Sequence, residues 1–158
     1  MPSSLLPDWA PNIHPLLVHF PIALLTTAVL VDLVGLALGG NRWIRNAATL
    51  MCLLGTLTAL AAYATGRAAS QTVRLPGMAH AVVSAHWDWA FRTVWFFGPL
   101  SVLRLVLVWP GRTGPARARV AALALAGLVG VGLLYETGDR GARLVYEHGV
   151  GTTAAADR

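Results

Sequence analysis

Charged residues and cysteine are scarce in this chain of 158 residues. Only 12% of the residues are charged, and none of them is lysine, whereas a soluble domain is roughly 25% charged. This small amount of polar surface cannot cover a water-soluble globule. The composition therefore predicts a membrane protein. The single cysteine, Cys52, excludes a disulfide framework, a cysteine-rich zinc site and the C-x-x-C-H attachment of a covalent haem. The motifs G-x-S-x-G and H-E-x-x-H and the phosphate loop are absent too, which argues against a hydrolase or an ATPase.

Four apolar runs are each close to the ~20 residues needed to cross the hydrocarbon core of a bilayer. They cover about residues 16–38, 47–65, 89–109 and 120–138. The stretch from Gly138 to Gly151 is too short to span, and we expect it either to lie across the outer mouth of the bundle or to form a surface tail. The sequence therefore predicts an all-α, integral membrane four-helix bundle, a single domain over residues 1–158, with a short re-entrant or interfacial segment near its C-terminus.

Arginine placement predicts the orientation in the membrane. The connections Gly39–Asn46 and Pro110–Arg119 hold five arginines and no acid. The other side also holds five arginines, but they are spread over longer segments that contain six acids. Because arginine in short loops favours the cytoplasm, we expect both termini on the periplasmic side of a bacterial inner membrane. No basic face with interleaved aromatic residues accompanies the pI of about 10.7, so nucleic acid is not an expected partner.

Two charges fall inside the predicted spans at matching depths. Asp32 lies about six residues from the cytoplasmic end of the first span, and Arg104 lies about five residues from the same end of the third. A charge in hydrocarbon is costly unless it is paired or reaches the interface. The sequence predicts a structural contact between Asp32 and Arg104. Proton transfer, and separate snorkelling of each side chain, are the alternatives.

All five histidines fall on the predicted periplasmic side. His14 and His19 are five residues apart and so point about 140° apart on a regular helix, which prevents them from binding one ion together. A haem held by two imidazoles needs histidines from different helices. His19 and His86 are the first candidates, and His14 with His148 would form a second site. At each position, an imidazole that only bonds a carbonyl or water is the alternative.

Side chains around these histidines suggest further contacts. Arg67 and Arg143 are placed to meet the propionates of a haem at the surface. Gly66, Ala68 and Ala69 would leave room beside the ring, and Glu147 or Asp88 could orient an imidazole by accepting its second N–H.

Several segments of the chain resemble one known family. These segments are His14-Pro15-Leu16-Leu17-Val18-His19-Phe20-Pro21, Thr65-Gly66, His86, and Leu144-Val145-Tyr146-Glu147-His148-Gly149-Val150-Gly151. They resemble a family of predicted bacterial membrane proteins, domain-of-unknown-function family 2231. The resemblance covers nearly the whole chain and implies a four-helix membrane protein with signature histidines at His14, His19, His86 and His148. Gly141-Ala142 stands where the family has a double glycine, and His80 has no place in the pattern.

The resemblance also implies a link to redox proteins, which favours haem over a passive role. The resulting hypothesis is a b-type cytochrome-like membrane protein that carries electrons or serves as an accessory subunit of a larger redox complex, rather than an enzyme. A copper or zinc site built from the same imidazoles is the second hypothesis. A structural subunit without a cofactor is the third.

Overall fold

The computed structural model describes residues 12–39, 41–73, 75–108 and 116–152. Within these ranges every regular element is helical. The elements are a short helix α1 (His14–Leu17), then α2 (His19–Ala37), α3 (Arg42–Thr72), a 3-10 turn (Gly77–Ala79), α4 (His80–Val108) and α5 (Ala116–Tyr146). Four segments are long and apolar enough to cross a membrane: His14–Ala37, Arg42–Thr72, Gly77–Val108 and Arg117–Tyr146. The predicted all-α, four-span architecture is confirmed.

The first span contains α1 and α2, which are nearly continuous. Val18, between them, keeps helical angles (φ −61°, ψ −24°), so the chain does not change direction. Pro21 has no N–H to offer to the carbonyl of Leu17, which explains why the hydrogen-bond ladder is interrupted here. At the far end, Gly39 adopts φ 81°, and the side chain of Asn41 then caps α3 by accepting from the Trp43 N–H at 2.8 Å.

The helices are longer at the histidine end than hydropathy predicts. Helix α3 continues past Gly66 to Thr72, α4 begins at His80 instead of near Trp89, and α5 runs past Gly138 to Tyr146. Hydropathy detects only the part of a helix that lies in hydrocarbon, so polar helical turns beyond that part are missed.

The C-terminal segment is therefore largely helical. Residues 138–146 are the last two turns of α5, which favours the interfacial form of the prediction over the re-entrant one. The helix then ends in a glycine motif. Gly149 has φ 66°, and its N–H bonds the Val145 carbonyl at 3.0 Å while the Val150 N–H bonds the Leu144 carbonyl at 2.9 Å.

The four long helices form a bundle in which α2 and α4 lie on a diagonal. Each of these two helices packs against both α3 and α5. The core is apolar and close-packed; its buried members include Leu25, Cys52, Phe97, Leu100, Leu123 and Leu134. Leucine, valine and aromatic side chains cover the outside, where lipid solvates them.

Small residues allow close approach of the helices at some positions. Gly55 and Ala59 are buried, and a Cβ added at Gly55 would lie 2.7 Å from the Leu25 side chain. Gly130 packs against Phe97, whereas Ala122 is exposed to the outside of the bundle. Close packing through small residues therefore involves Gly55 and Ala59 of α3 and Gly130 of α5, but not Ala122.

The predicted contact between Asp32 and Arg104 is confirmed. Nη1 of Arg104 donates to Oδ2 of Asp32, and Nη2 donates to Oδ1, both at 2.7 Å. Both side chains are 2% exposed, so neither snorkels to an interface. One turn away, the hydroxyls of Thr56 and Ser101 bond each other at 2.8 Å. The bidentate ion pair joins α2 to α4 across the diagonal.

Removing one member of this ion pair should destabilise the bundle more than removing both. Asp32→Leu or Arg104→Met alone leaves an unpaired buried charge, at an expected cost of about 3–5 kcal/mol. The double variant leaves none and should recover most of that loss. Thermal unfolding in detergent micelles measures the effect, with Arg92→Met, an exposed arginine of the same helix, as the control. Equal losses in the single and double variants would contradict this account.

Candidate imidazole site

His14 and His86 meet inside one end of the bundle. Their ring centroids are 6.5 Å apart, with an angle of 78° between the ring planes. His14 opens α1 and His86 lies in the second turn of α4, so the two rings meet across the same diagonal as the ion pair. The spacing from His14 to Asp32 and from His86 to Arg104 is 18 residues in each case, about five helical turns and about 27 Å. The two polar pairs therefore lie on the same helix faces, near opposite ends of the ~30 Å hydrocarbon core.

The contacts of His14 favour a proton on Nδ1 in the neutral imidazole. Nδ1 lies 3.3 Å from Oγ1 of Thr65 in α3. The Thr65 hydroxyl itself points at the carbonyls of Ala61 and Ala62, each at 3.0 Å. Because the hydroxyl proton is used there, Oγ1 accepts from Nδ1–H. The lone pair of His14 is then on Nε2.

His86 is held in the same way by α5. Its Nδ1 lies 2.9 Å from the main-chain carbonyl of Thr137, and a carbonyl only accepts, so Nδ1 donates. The hydroxyl of Thr137 bonds that of Thr93 at 2.9 Å, which ties this part of α5 to α4. The neutral ring again carries its lone pair on Nε2, the arrangement in which histidine binds a metal while its other N–H is held by the protein.

Each imidazole rests against a glycine of the neighbouring long helix. A Cβ added at Gly66 would lie 2.9 Å from Cε1 of His14, and one added at Gly141 would lie 3.2 Å from Cε1 of His86. Gly66 therefore serves to seat the ring and does not end α3. A side chain at either glycine would push the imidazole away from its present position.

Aromatic and guanidinium groups surround this end of the bundle. The Arg67 guanidinium lies 4.9 Å from the ring centre of Trp87, the neighbour of His86 in sequence. Arg92 and Arg140 lie over Trp89, at 5.0 and 4.8 Å from its ring centre. Stacking of this kind is favourable, and it allows Arg140 to donate to Glu136 from the edge of its guanidinium at the same time.

Two of the acids near this end are engaged with arginines. Glu136 pairs with Arg140 at 2.5 Å, and Glu147 pairs with Arg143 at 3.1 Å, each one helical turn apart. Glu147 is thus used by Arg143 and does not orient an imidazole, and Asp88 is exposed. Arg143 is exposed. Arg67 lies close to the imidazole site because its guanidinium stacks on Trp87, the neighbour of His86 in sequence.

The remaining predicted histidines lie outside this contact. His19 is exposed, because at five residues from His14 it points to another side of the helix. His80 is exposed, with Nδ1 3.1 Å from the Gly77 carbonyl. His148 is half-buried in the turn after α5. The structure thus brings His86 against His14 and leaves His19 and His148 apart from that pair.

Thr65, Thr137 and Gly141 are the site residues that sequence reasoning missed as contacts of the rings. The spacing of 18 residues from His14 to Asp32 was a usable signal, because it places His14 on the buried face that carries the ion pair. Among the described residues, no group of three or more His, Cys, Asp or Glu side chains is placed to hold a metal ion.

A comparison with protein families agrees with the fold. The family described as "Predicted membrane protein (DUF2231)" matches residues 10–154. The chain belongs to this family. The resemblance predicted from the histidine motifs is confirmed, and a lipid bilayer is the environment of the four spans. No curated protein and no solved structure matches the chain.

Substitution of Gly66 should disturb the site without disturbing the helix. Alanine favours a helix more than glycine does, so any loss in Gly66→Ala comes from the clash with His14, at an expected cost of about 1–3 kcal/mol. The control is Gly132→Ala, where an added Cβ meets nothing within 4 Å. Unfolding in detergent and the imidazole NMR signals of His14 measure the two effects. A Gly66→Ala variant as stable as the control, with unshifted His14 signals, would show that the seat is not tight.

Proposed function

We propose that this membrane protein binds haem b between His14 and His86 and carries electrons at the periplasmic face of the bacterial inner membrane. The observation that supports the proposal is the imidazole pair: two rings from different helices, each with Nδ1 held by a protein acceptor and Nε2 left as a metal donor. Haem, when bound, supplies one-electron redox chemistry, and the bundle sets its burial and axial ligation.

The separation of the rings suits two ligands on one metal. An imidazole nitrogen lies roughly 2 Å from a bound transition metal, so two rings on opposite sides of one ion have centres roughly 6 Å apart. The centroids of His14 and His86 are 6.5 Å apart. The angle of 78° between the ring planes is compatible with such binding, since coordination through one nitrogen does not require two imidazoles to be coplanar.

The number of donors favours haem over a bare zinc ion. A structural zinc site needs four protein ligands and a catalytic one needs three, while the porphyrin supplies four nitrogens and asks the protein for only two. The described residues provide two imidazoles and no third His, Cys, Asp or Glu in the same group. A copper ion held by two imidazoles is the second candidate, because two neutral nitrogen donors suffice for it.

Charge at the two ends of the bundle supports the proposed topology. The arginine-rich starts of α3 and α5, with Arg42, Arg45, Arg117 and Arg119, lie at the end opposite the imidazoles. At the imidazole end, arginines are matched by acids or stacked on tryptophan. Under the positive-inside rule the imidazole pair faces the periplasm. The proposal includes a place in a larger membrane redox complex, since a carrier needs a donor and an acceptor of electrons.

Histidine variants test the haem proposal. The wild-type protein, purified in detergent from cells supplied with haem, should show a Soret band and a reduced-state α band. His14→Ala or His86→Ala removes one axial ligand and should abolish or strongly weaken those bands. His19→Ala and His80→Ala are matched controls at exposed positions of the same helices, and should keep them.

The same measurement separates the alternatives. Colourless wild-type protein that contains copper would favour the copper site, and colourless, metal-free protein would favour a structural subunit. A haem spectrum lost with His19→Ala but kept with His14→Ala would contradict the assignment of His14 as the ligand.

A further inference from the structure

Several residues of the first half of the chain recur in the second half at an offset of 72 residues. The sequence Tyr63-Ala-Thr-Gly66 in α3 returns as Tyr135-Glu-Thr-Gly138 in α5. The same offset relates His14 to His86 and Gly55 to Gly127. These matches fall on two consecutive helices in the same order, so they relate the hairpin α1–α3 to the hairpin α4–α5.

Burial follows the same offset where the side chains have changed. Most of the positions that are buried in one hairpin have a buried counterpart in the other, and most of these pairs hold different residues. They include Pro21 and Thr93, Leu25 and Phe97, Ala28 and Leu100, Val29 and Ser101, Ala48 and Val120, Cys52 and Ala124, and Ala62 and Leu134. Corresponding faces of the two hairpins therefore point into the same core.

A contact inside each hairpin is also repeated. His14 bonds Thr65 through Nδ1, and His86 bonds Thr137 through Nδ1. In both cases a histidine near the start of the first helix meets a threonine 51 residues later in the second. The first contact uses the threonine hydroxyl and the second uses the main-chain carbonyl, so the position is kept while the atom differs.

Two contacts join residues that correspond to each other. His14 meets His86, and Asp32 meets Arg104. When two equivalent units are related by a two-fold axis, a residue meets its own counterpart only near that axis. The two contacts are about 27 Å apart along the helices, so the axis runs along the bundle. Both hairpins then cross the bilayer in the same sense, as in parallel membrane repeats.

We infer that the chain is a duplicated helical hairpin, and that the imidazole pair lies on the pseudo-two-fold axis so that each half gives one equivalent ligand to a metal group bound there. The inference about the ligand rests on the function proposed above, while the duplication does not. A group bound on this axis would be held by one imidazole from each half. The site therefore suits a metal centre with two equivalent faces.

Distances between spin labels test the axis without any cofactor. Cysteines introduced for Leu33 and Val129 span α2 to α5, and those for Leu105 and Leu57 span α4 to α3. All four side chains are exposed on the outside of the bundle. The offset of 72 residues relates Leu33 to Leu105 and Leu57 to Val129, so the two pairs are equivalent under the proposed symmetry. The background is Cys52→Ala, since alanine stands at the corresponding position 124. Electron–electron double resonance in lipid nanodiscs should give the same distance distribution for both pairs, and clearly different distributions would overturn the duplication.

Ligand rescue tests the equivalence of the imidazoles. His14→Gly and His86→Gly should each lose the haem spectrum of the full-length protein. Added imidazole should restore the same spectrum in both, with similar concentration dependence, because the vacated positions correspond. Restoration in only one variant, or haem retained in one of them, would overturn the shared axial site even if the label distances agree.

The two measurements separate this inference from the proposed function. Equal label distances in a wild-type protein that never takes up haem would support the duplication and defeat the haem proposal. Unequal distances in a haem-loaded protein would overturn the duplication and support the haem proposal.

Discussion

The bidentate contact between Asp32 and Arg104 is the constraint on which the rest of the bundle depends. In hydrocarbon neither charge has water to solvate it, so each is tolerable only while the other is in place. Two parallel hydrogen bonds fix the separation and the angle of the two side chains together. Because both helices carry a histidine on the same face about five turns away, holding α2 against α4 here also sets how His14 meets His86.

Between the ion pair and the imidazole pair, hydroxyl groups also fix the helices relative to one another. Thr56 bonds Ser101, and Thr93 bonds Thr137, so α3 and α5 are each tied to α4. Thr56 donates to a carbonyl of its own helix and so accepts from Ser101. In the Thr93–Thr137 pair one hydroxyl donates to the other, and the accepting hydroxyl donates to a carbonyl of its own helix. These bonds keep the hydroxyls satisfied in an apolar core. Cross-helix contacts of this kind carry no net charge, so they locate the helices at little desolvation cost. The result is a bundle whose interior is polar at intervals and apolar between them.

The sequence was sufficient for the number of spans and for the ion pair, because both follow from the cost of polar groups in lipid. It was not sufficient for the helix ends at the imidazole side. Gly66 and Gly138 resemble stop signals, yet one seats an imidazole and both lie inside helices. The sequence also did not show which histidine meets His86. Helix geometry excluded His14 and His19 from binding one ion together, but it left open which of the two faces the core. The contact with Thr137 uses a main-chain carbonyl, which no side-chain pattern reports.

Duplication within one chain explains how an ion pair comes to lie on a two-fold axis. In a dimer of identical hairpins, the residue at this position would meet a copy of itself, and two aspartates or two arginines would repel each other in a medium of low dielectric constant. Once the two hairpins are parts of one chain, each copy can acquire substitutions independently, and Asp32 opposite Arg104 becomes possible. The other end keeps identical residues, His14 and His86, because two neutral imidazoles do not repel. One end of the axis is therefore closed by paired charge, and the other by two facing imidazoles, which under the proposed function would hold a shared ligand.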